Sequence, residues 1–512
     1  MDGSLGVALG VTIFLGSTTL IIFLLIFSNR SKKHPWPPGP PKLPMIGNLH
    51  QLQKGGPLVH ITLAEMAKQY GKIMTVWFGN KPTIVVSDYG SVWEVLVTKS
   101  SDFASRSMPY RSKFTTAGWR TLSTFDFSDA WFNLRKGAQC SFFHPANVSG
   151  QSPLQESDVE QLIRSIEEEA NGNINGVVRP LPDIRKSVIR LIARLCFGPD
   201  FRDEKFVEAM DVMIEETILQ TSLSVLGDIF PVLQHIPGFK KPFREIIKVK
   251  RRIEELIRPC IDRYSSSSSS KENNYYYYLQ FLLSRGFPLE VVIFNIYEMF
   301  LLAVDSTSLT IAWALAFLIH EKQIQDKLYK ELISREYGKE GGLRLEQVSK
   351  MKYLHGVVKE SARLRPIAPL GIPHKAVKDT TLMGKRIEAG TTVMVNLYAV
   401  LHDPAVWKEP DRFHPERFLE NNINGGEGEG VWKEDVAATA MEKSFLPFGA
   451  GRRICAGMEL AKPHVALTLG NLVKAFEWSS AIEGEFPDLS EDSTFVLGMK
   501  TPLLARVAPR HA

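Results

Sequence analysis

The segment from Phe448 to Gly457, near the C-terminus, has the residue types and spacing that metal-centred chemistry requires. It reads FGAGRRICAG, with Cys455 between Gly451 and Gly457 and two residues after Arg453. Glycines let the backbone pass close to a large flat group, and backbone N–H groups together with an arginine favour a thiolate over a thiol. The arginine can also pair with a carboxylate at the edge of that group. The pattern therefore indicates a thiolate offered to the iron of a planar cofactor.

A structural cysteine in a glycine-rich turn is the alternative, and for an isolated cysteine it is the ordinary interpretation. Here ten residues contain several positions at which a particular residue type is needed, and this favours a metal ligand over a structural cysteine. The other cysteines, at 140, 196 and 260, have neither a Cys-x-x-Cys nor a zinc-like spacing. A disulfide framework is therefore not expected, and a reducing compartment fits.

A second motif is informative because of its position relative to the other segments of the chain. Glu360 and Arg363 are three residues apart on one predicted helical face, and Pro366 ends that helix. Alone, such a pair is usually a solvated surface pair. Here the pair is followed along the chain by PERF, from Pro415 to Phe418, and then by the cysteine segment. This order gives the pair its significance.

A third feature lies in a long, mostly apolar stretch, residues 291–320. The centre of this stretch is polar and reads LAVDSTS from Leu302 to Ser308. The acid and the hydroxyls of this centre can accept and donate protons. Hydroxyls that only bond back to the helix backbone are the alternative. The cysteine segment favours the functional interpretation.

In this order along the chain, the segments resemble the cytochrome P450 family of haem-thiolate enzymes over essentially the whole sequence. The resemblance implies a mainly α-helical fold with a small β component. It implies a haem b cofactor, with Cys455 as the axial ligand of the iron. It also implies that Glu360, Arg363 and Arg417 form a buried structural triad behind the haem.

The resemblance places Trp131 and Arg135, four residues apart on one helical face, at the haem edge. By the same resemblance, Arg453 and His374 stand at the positions of the other residues that bind the haem propionates. His374 as an iron ligand is the competing idea, which we discount because Cys455 supplies the thiolate and oxygen needs the opposite axial position. The residues assigned to the cofactor are Cys455, Arg453, Trp131, Arg135, His374, Phe448 and Gly451.

Proton delivery is assigned to Asp305, Ser306 and Thr307, with departures from the family pattern. The family usually has two small residues, a variable residue, an acid, and then Thr-Thr or Thr-Ser. Here Ser306 stands where threonine is usual, Ala303 where glycine is usual, and Leu302 where alanine or glycine is usual. Serine still provides a hydroxyl, so proton relay is expected.

Residues 300–475, with these departures, resemble a plant subgroup that closes methylenedioxy bridges. This implies an NADPH- and O2-dependent monooxygenase acting on an ortho-methoxyphenol of an alkaloid, lignan or phenylpropanoid. The subgroup contains a phenol-coupling branch, so coupling stays open, as do aromatic hydroxylation and O-demethylation. An O2-independent isomerase or dehydratase and a non-catalytic haem binder are less favoured alternatives.

The expected partners are NADPH–cytochrome P450 reductase, O2, membrane lipid and a small aromatic substrate. Basic residues near the cysteine, Lys136, Lys443 and Arg452, are candidates for docking the reductase. A net charge of +5 over 512 residues does not indicate a nucleic-acid partner. Substrate contacts are expected from Phe114, Leu302, Ala303, Ala368, Leu370, Val496 and Leu497.

The N-terminus predicts a membrane anchor, because residues 5–27 are 23 residues without a charge. Arg30, Lys32 and Lys33 follow it, which favours a cytosolic catalytic domain. A cleaved signal peptide fits less well, since no basic segment precedes the run. We therefore predict a single-pass anchor (1–27) in the endoplasmic reticulum, a basic and proline-rich linker (28–45) and a catalytic domain (46–512).

The elements that must position these residues can also be predicted. Two β-rich runs, 73–78 and 83–87, flank a turn at Gly79 and Asn80 and predict a hairpin. Helical patterns are predicted for 159–170, 184–196, 206–221, 246–264 and the apolar stretch 291–320.

Overall fold

The computed structural model describes most of the chain after residue 35. The anchor predicted for residues 1–27 and the first part of the predicted linker lie outside the described residues. The described ranges are 36–54, 56, 58–222, 226–230, 233, 236, 240–265, 277–334, 341–419, 441–493 and 496–510.

Helices dominate these ranges, and the strands are short. The helices are α1 (Leu49–Lys54), α2 (Val59–Tyr70), α3 (Tyr89–Trp93), α4 (Asp129–Ala138), α5 (Pro145–Gly150), α6 (Ser152–Gly172), α7 (Pro180–Phe197), α8 (Glu204–Ser222), α9 (Leu226–Ile229), α10 (Lys241–Ser265), α11 (Tyr278–Ser284), α12 (Leu289–His320), α13 (Lys322–Leu332), α14 (Leu345–Val348), α15 (Lys352–Leu364), α16 (Leu397–Leu401) and α17 (Met458–Ala475). The strands are β1 (Ile73–Phe78), β2 (Lys81–Val86), β3 (Ser105–Arg106), β4 (Val177–Val178), β5 (His374–Lys375), β6 (Thr380–Leu382), β7 (Lys385–Ile387), β8 (Thr392–Val395), β9 (Phe476–Ser480), β10 (Glu491–Ser493), β11 (Leu497–Met499) and β12 (Ala505–Pro509).

Helix α12 is mostly apolar, 32 residues long and free of glycine and proline, which favours a long uninterrupted helix. It is the central helix of the fold, because both of the hydrophobic clusters described next include it. Its first half, up to Val304, packs into a hydrophobic cluster with α7, α8 and α10. Its second half, from Leu309, packs into another cluster with α6, α15 and α17. The polar residues 305–308 therefore lie where the two clusters meet.

The same helix is the one within the described ranges that is long and apolar enough to cross a membrane. Its most apolar window is 78% buried inside the protein. Burial on all sides is typical of the central helix of a large domain, so α12 is a core helix.

A five-stranded sheet in the order β1-β2-β8-β5-β3 carries two residues of interest. Its β3–β5 pair is antiparallel and places Arg106 opposite His374. Two further sheets frame the C-terminal part: β4-β12-β9 and the β10–β11 hairpin. The register of the β3–β5 pair therefore brings Arg106 and His374 together, although they are far apart in sequence.

The predicted elements agree with the structure. The hairpin is confirmed, since β1 and β2 pair antiparallel with Phe78 opposite Lys81 at the turn. The five predicted helices are present as α6, α7, α8, α10 and α12, each longer than predicted, and α6 begins seven residues earlier, at Ser152. Helix α15 ends at Leu364, two residues before Pro366, as expected from the restriction that proline imposes.

The structure brings Glu360, Arg363 and Arg417 into one buried ion cluster. The Glu360 carboxylate accepts bonds from Arg363 Nε (2.8 Å) and Nη2 (2.9 Å) and from Arg417 Nε (3.0 Å). Arg363 also donates to the Leu401 carbonyl, and Arg417 to the Lys408 carbonyl. The cluster therefore ties α15 to the end of α16 and to the turn Pro415–Phe418.

We expect Glu360→Gln to lower the free energy of unfolding by roughly 3–5 kcal/mol, because two buried guanidinium groups lose their counter-charge. Denaturant unfolding followed by tryptophan fluorescence measures it. The matched control is Glu346→Gln, which removes an exposed ion pair with Lys350 (3.1 Å) and should cost less than about 1 kcal/mol. Equal unfolding midpoints for the two variants would contradict a supporting role for the triad.

Candidate active site

The cysteine loop is shaped by a glycine that no other residue can replace. Gly451 begins the short 3₁₀ turn Gly451–Arg453 and has a φ of +67°. A Cβ added to it would lie 1.6 Å from the Leu96 carbonyl oxygen, so any side chain would collide with backbone. The loop is then closed by a hydrogen bond from the Cys455 N–H to the Phe448 carbonyl (3.0 Å). Phe448, Gly451 and Cys455 thus belong to one compact loop.

Cys455 combines an exposed side chain with a strongly desolvated setting, which is typical of a thiol that borders an internal cleft. Burial raises the pKa of the Cys455 thiol above its ordinary value. Backbone N–H groups of Gly457 and Met458 and the charge of Arg135 act in the opposite direction. The protein alone therefore favours the thiol, and coordination to a metal would supply the stabilisation that a thiolate needs.

Arg453 joins the cysteine loop to the segment before α4. Its Nε donates to the Ala104 carbonyl (2.6 Å), and its Nη2 donates to the Phe125 carbonyl (2.5 Å). The guanidinium lies 4.0 Å from the centre of the Trp131 ring, within cation–π range. The Trp131 indole in turn donates to the Leu122 carbonyl (3.0 Å). The predicted edge residues Arg453 and Trp131 are therefore in direct contact.

Arg106 is a site residue that the sequence analysis missed. It is fully buried, and burial lowers the pKa of its guanidinium to about 10. Its Nη1 donates to the Ile372 carbonyl (2.6 Å), whereas its buried Nε has no hydrogen-bond partner among the described residues. No spacing rule marks this arginine in the sequence, because only the β3–β5 register places it opposite His374.

His374 is neutral in this setting, because burial and then the charge of Arg106 lower the pKa of its ring to about 3. Its Nδ1 lies 2.8 Å from the Phe103 carbonyl oxygen, which can only accept. That contact assigns the hydrogen to Nδ1 and leaves Nε2 as an acceptor. A carboxylate at Nε2 would therefore require His374 to take up a proton.

The edge residues fit a group that carries carboxylates. Arg106, Arg135 and Arg453 have no carboxylate within ion-pair distance in the described part of the chain. Burial, and then the charge of Arg106, lower the pKa of Arg453 to about 9. Within the described ranges, the buried Nη1 of Arg453 and Nε of Arg106 are donors without a hydrogen-bond partner. Such donors are satisfied by an anion, and the propionates of haem b are anions of this kind.

The predicted proton-relay residues occupy different sides of α12. Leu302, Ala303 and Ser306 are half-buried on one face, whereas Asp305 and Thr307 are buried. The Ser306 hydroxyl donates to the Leu302 carbonyl (2.7 Å). Of the hydroxyls at 306 and 307, that of Ser306 therefore lies on the more open face.

Asp305 is held by an ion pair that sequence reasoning missed. Its carboxylate accepts a hydrogen bond from Arg185 of α7, and Arg185 also bonds Asp211 of α8 (2.7 Å). Burial raises the pKa of Asp305, although Arg185 opposes this. An arginine in an apolar helix face was the available signal, since such a residue needs a buried partner.

The predicted substrate residues are not equally placed. Phe114 and Ala303 pack against the same core cluster, as does Ala456, which was not predicted and lies next to Cys455. The Leu497 side chain is completely buried, whereas Val496 is half-buried and is therefore the better placed of the two for contact with a ligand. The Leu497 N–H donates to the Ile367 carbonyl (2.8 Å), which brings the C-terminal hairpin beside the segment that contains Ala368 and Leu370.

The three basic residues predicted for docking are all exposed. Lys136 follows Arg135 on α4, Arg452 belongs to the cysteine loop, and Lys443 precedes that loop.

Comparison with known proteins places this geometry in a family. The family model for cytochrome P450 matches residues 37–505. The chain is 48% identical to (S)-canadine synthase of Coptis japonica, covering 97% of this chain and 96% of the relative. It is 46% identical to a piperic acid synthase of Piper nigrum (93% and 91% covered). It is 43% identical to pluviatolide synthase of Podophyllum peltatum (98% of each chain).

A solved structure agrees with these relatives. A zebrafish cytochrome P450 determined with progesterone has a TM-score of 0.72 and 26% identity, and the match covers 88% of this chain and 99% of that one. The family implies a haem-thiolate cofactor, O2 and a redox partner. The chain belongs to the cytochrome P450 family.

Proposed function

We propose that this chain is a haem-thiolate monooxygenase that closes a methylenedioxy bridge on a plant specialised metabolite. The observation that carries the proposal is 43–48% identity, over nearly the full length, to synthases of canadine, piperic acid and pluviatolide. These relatives form such bridges on alkaloids, phenylpropanoids and lignans. The subgroup resemblance of residues 300–475 supports the same reaction.

The overall reaction balances without a protein nucleophile. An ortho-methoxyphenol, O2, NADPH and a proton give the O–CH2–O ring, two waters and NADP⁺. When bound, haem b supplies the oxidising chemistry at the methoxy carbon. The chain holds the phenol oxygen next to that carbon, and this positioning favours ring closure over release of the oxidised carbon.

Cofactor binding is assigned to the loop and edge residues described above. Cys455 would ligate the iron, and Arg453, Arg106, Arg135 and Trp131 would hold the propionate edge. The unpartnered donors of Arg453 and Arg106 support this assignment.

Proton transfer is assigned to the polar centre of α12. The Ser306 hydroxyl is on the half-buried face and can donate once it leaves the Leu302 carbonyl. Asp305 would pass protons only when its ion pair with Arg185 loosens. Thr307, on the buried side, would supply the hydroxyl if Ser306 does not.

We further propose that residues 1–27 anchor the enzyme once in the endoplasmic reticulum membrane, that 28–45 link it, and that 46–512 form a cytosolic catalytic domain. NADPH–cytochrome P450 reductase would dock on the basic side through Lys136, Lys443 and Arg452.

The reaction is tested with microsomes that contain the chain and the reductase, supplied with NADPH and a panel of ortho-methoxyphenols that carry a CD3O group. We expect one product that retains CD2 and has lost one deuterium and one hydrogen. Retention of CD3 with added oxygen would mean hydroxylation, and retention of CD3 with a new bond between rings would mean coupling. Loss of the whole CD3 group would mean demethylation. Any of these as the main product contradicts bridge closure.

We expect Ser306→Ala to reduce product formation by about 10²-fold while NADPH oxidation continues, because positioned proton transfer is lost. The ratio of product formed to NADPH consumed is the measurement. Ser308→Ala is the matched control, since Ser308 makes the same kind of bond to the backbone (2.7 Å to the Val304 carbonyl) on the fully buried side. An unchanged ratio in Ser306→Ala would assign the relay to another group, such as Thr307.

A further inference from the structure

A buried ion cluster outside the haem-binding and relay residues links three distant parts of the chain. The carboxylate of Glu491, at the start of β10, lies 3.0 Å from Arg365 Nε through Oε1 and 3.2 Å from His60 Nε2 through Oε2. The His60 and Glu491 side chains are 1% and 7% exposed. Although burial opposes ionisation, His60 and Arg365 hold the pKa of Glu491 below its ordinary value. The cluster therefore contains a buried carboxylate.

Arg365 connects this carboxylate to α12. Its guanidinium lies 5.1 Å from the Trp313 ring centre and 5.7 Å from that of Phe317. Its Nη2 donates to the Leu489 carbonyl (3.2 Å), just before β10. The Trp313 indole donates to the Leu497 carbonyl (3.3 Å). The hairpin is thus held at both of its strands.

The same cluster touches the segment that contains Ala368. Arg365 lies three residues before Ala368, and the Leu497 N–H bonds the Ile367 carbonyl between them. On the other side, the His60 ring packs edge-on against Tyr398 (4.9 Å), and the Tyr398 N–H donates to the Pro369 carbonyl (3.1 Å). Both predicted substrate-contacting segments, 368–370 and 496–497, are therefore attached to one charged cluster.

We propose that Glu491, together with Arg365 and His60, is a positioning residue that fixes the Val496 hairpin against the Ala368 segment and so determines which bulky aromatic ligands the site accepts. This inference rests on the proposed function for the identity of the two segments as pocket walls. An ion pair between packed elements restricts their separation, and small displacements of a substrate-contacting wall have large effects on orientation.

The test uses the full-length haem-loaded enzyme and two azoles that bind haem iron, imidazole and 4-phenylimidazole, titrated by their spectral shift. The two ligands differ by one phenyl group, and we expect only that group to contact the walls. We expect Glu491→Gln to weaken 4-phenylimidazole by about fivefold or more and imidazole by less than about twofold. The matched control Glu477→Gln removes an exposed strand ion pair with Lys322 and should change neither.

The outcomes separate a positioning role from a merely structural one. If Glu491→Gln fails to load haem, His60→Asn is the second variant and should show the same selective loss. Equal weakening of both azoles, no change in either, or loss of haem from both variants would overturn the proposal. Because azole binding needs no turnover, failure of the deuterium experiment would refute the proposed reaction without affecting this result.

Discussion

A thiolate can remain inside a protein only when its surroundings compensate the charge, and this constraint organises the structure around Cys455. Burial acts against the thiolate, and the N–H groups of Gly457 and Met458 with Arg135 act for it. These groups are in place because Gly451 allows the loop to lie directly on the Leu96 carbonyl. In the proposed function, the metal that Cys455 would ligate supplies the remaining stabilisation.

Helix α12 meets a second constraint, that of placing polar groups in a hydrophobic interior. Its two halves belong to different clusters, and its acid and hydroxyls lie where these clusters meet. Arg185 compensates the charge of Asp305 from the side, which leaves the face with Leu302, Ala303 and Ser306 free of ion pairs among the residues described. Leu302, larger than the small residue usual in the family, lies on that half-buried face.

Much of this could be predicted from sequence because the signals were local. The glycine spacing around Cys455, the hairpin at 73–86 and the long apolar run of α12 each depend on neighbouring residues alone. The grouping of Glu360 with Arg417 required the family resemblance, since 57 residues separate them. The anchor, the linker boundary and the docking face remain predictions.

The unpredicted features depend on register and on packing between distant elements. Arg106 is placed opposite His374 only through the pairing of β3 with β5. Arg185 meets Asp305 across 120 residues, and Glu491 meets His60 across 431. Leu497 is buried rather than accessible, and its backbone N–H and carbonyl are bonded to Ile367 and Trp313, which are distant in sequence. No local pattern specifies such contacts.

The central claim, that Cys455 is the thiolate ligand, is tested most directly by the spectrum of the reduced CO complex. The comparison is between Cys455→Ser and Cys140→Ser, which removes the other exposed cysteine. The account predicts that the unmodified enzyme and Cys140→Ser give a thiolate-type spectrum and that Cys455→Ser does not. A thiolate-type spectrum retained in Cys455→Ser would contradict it.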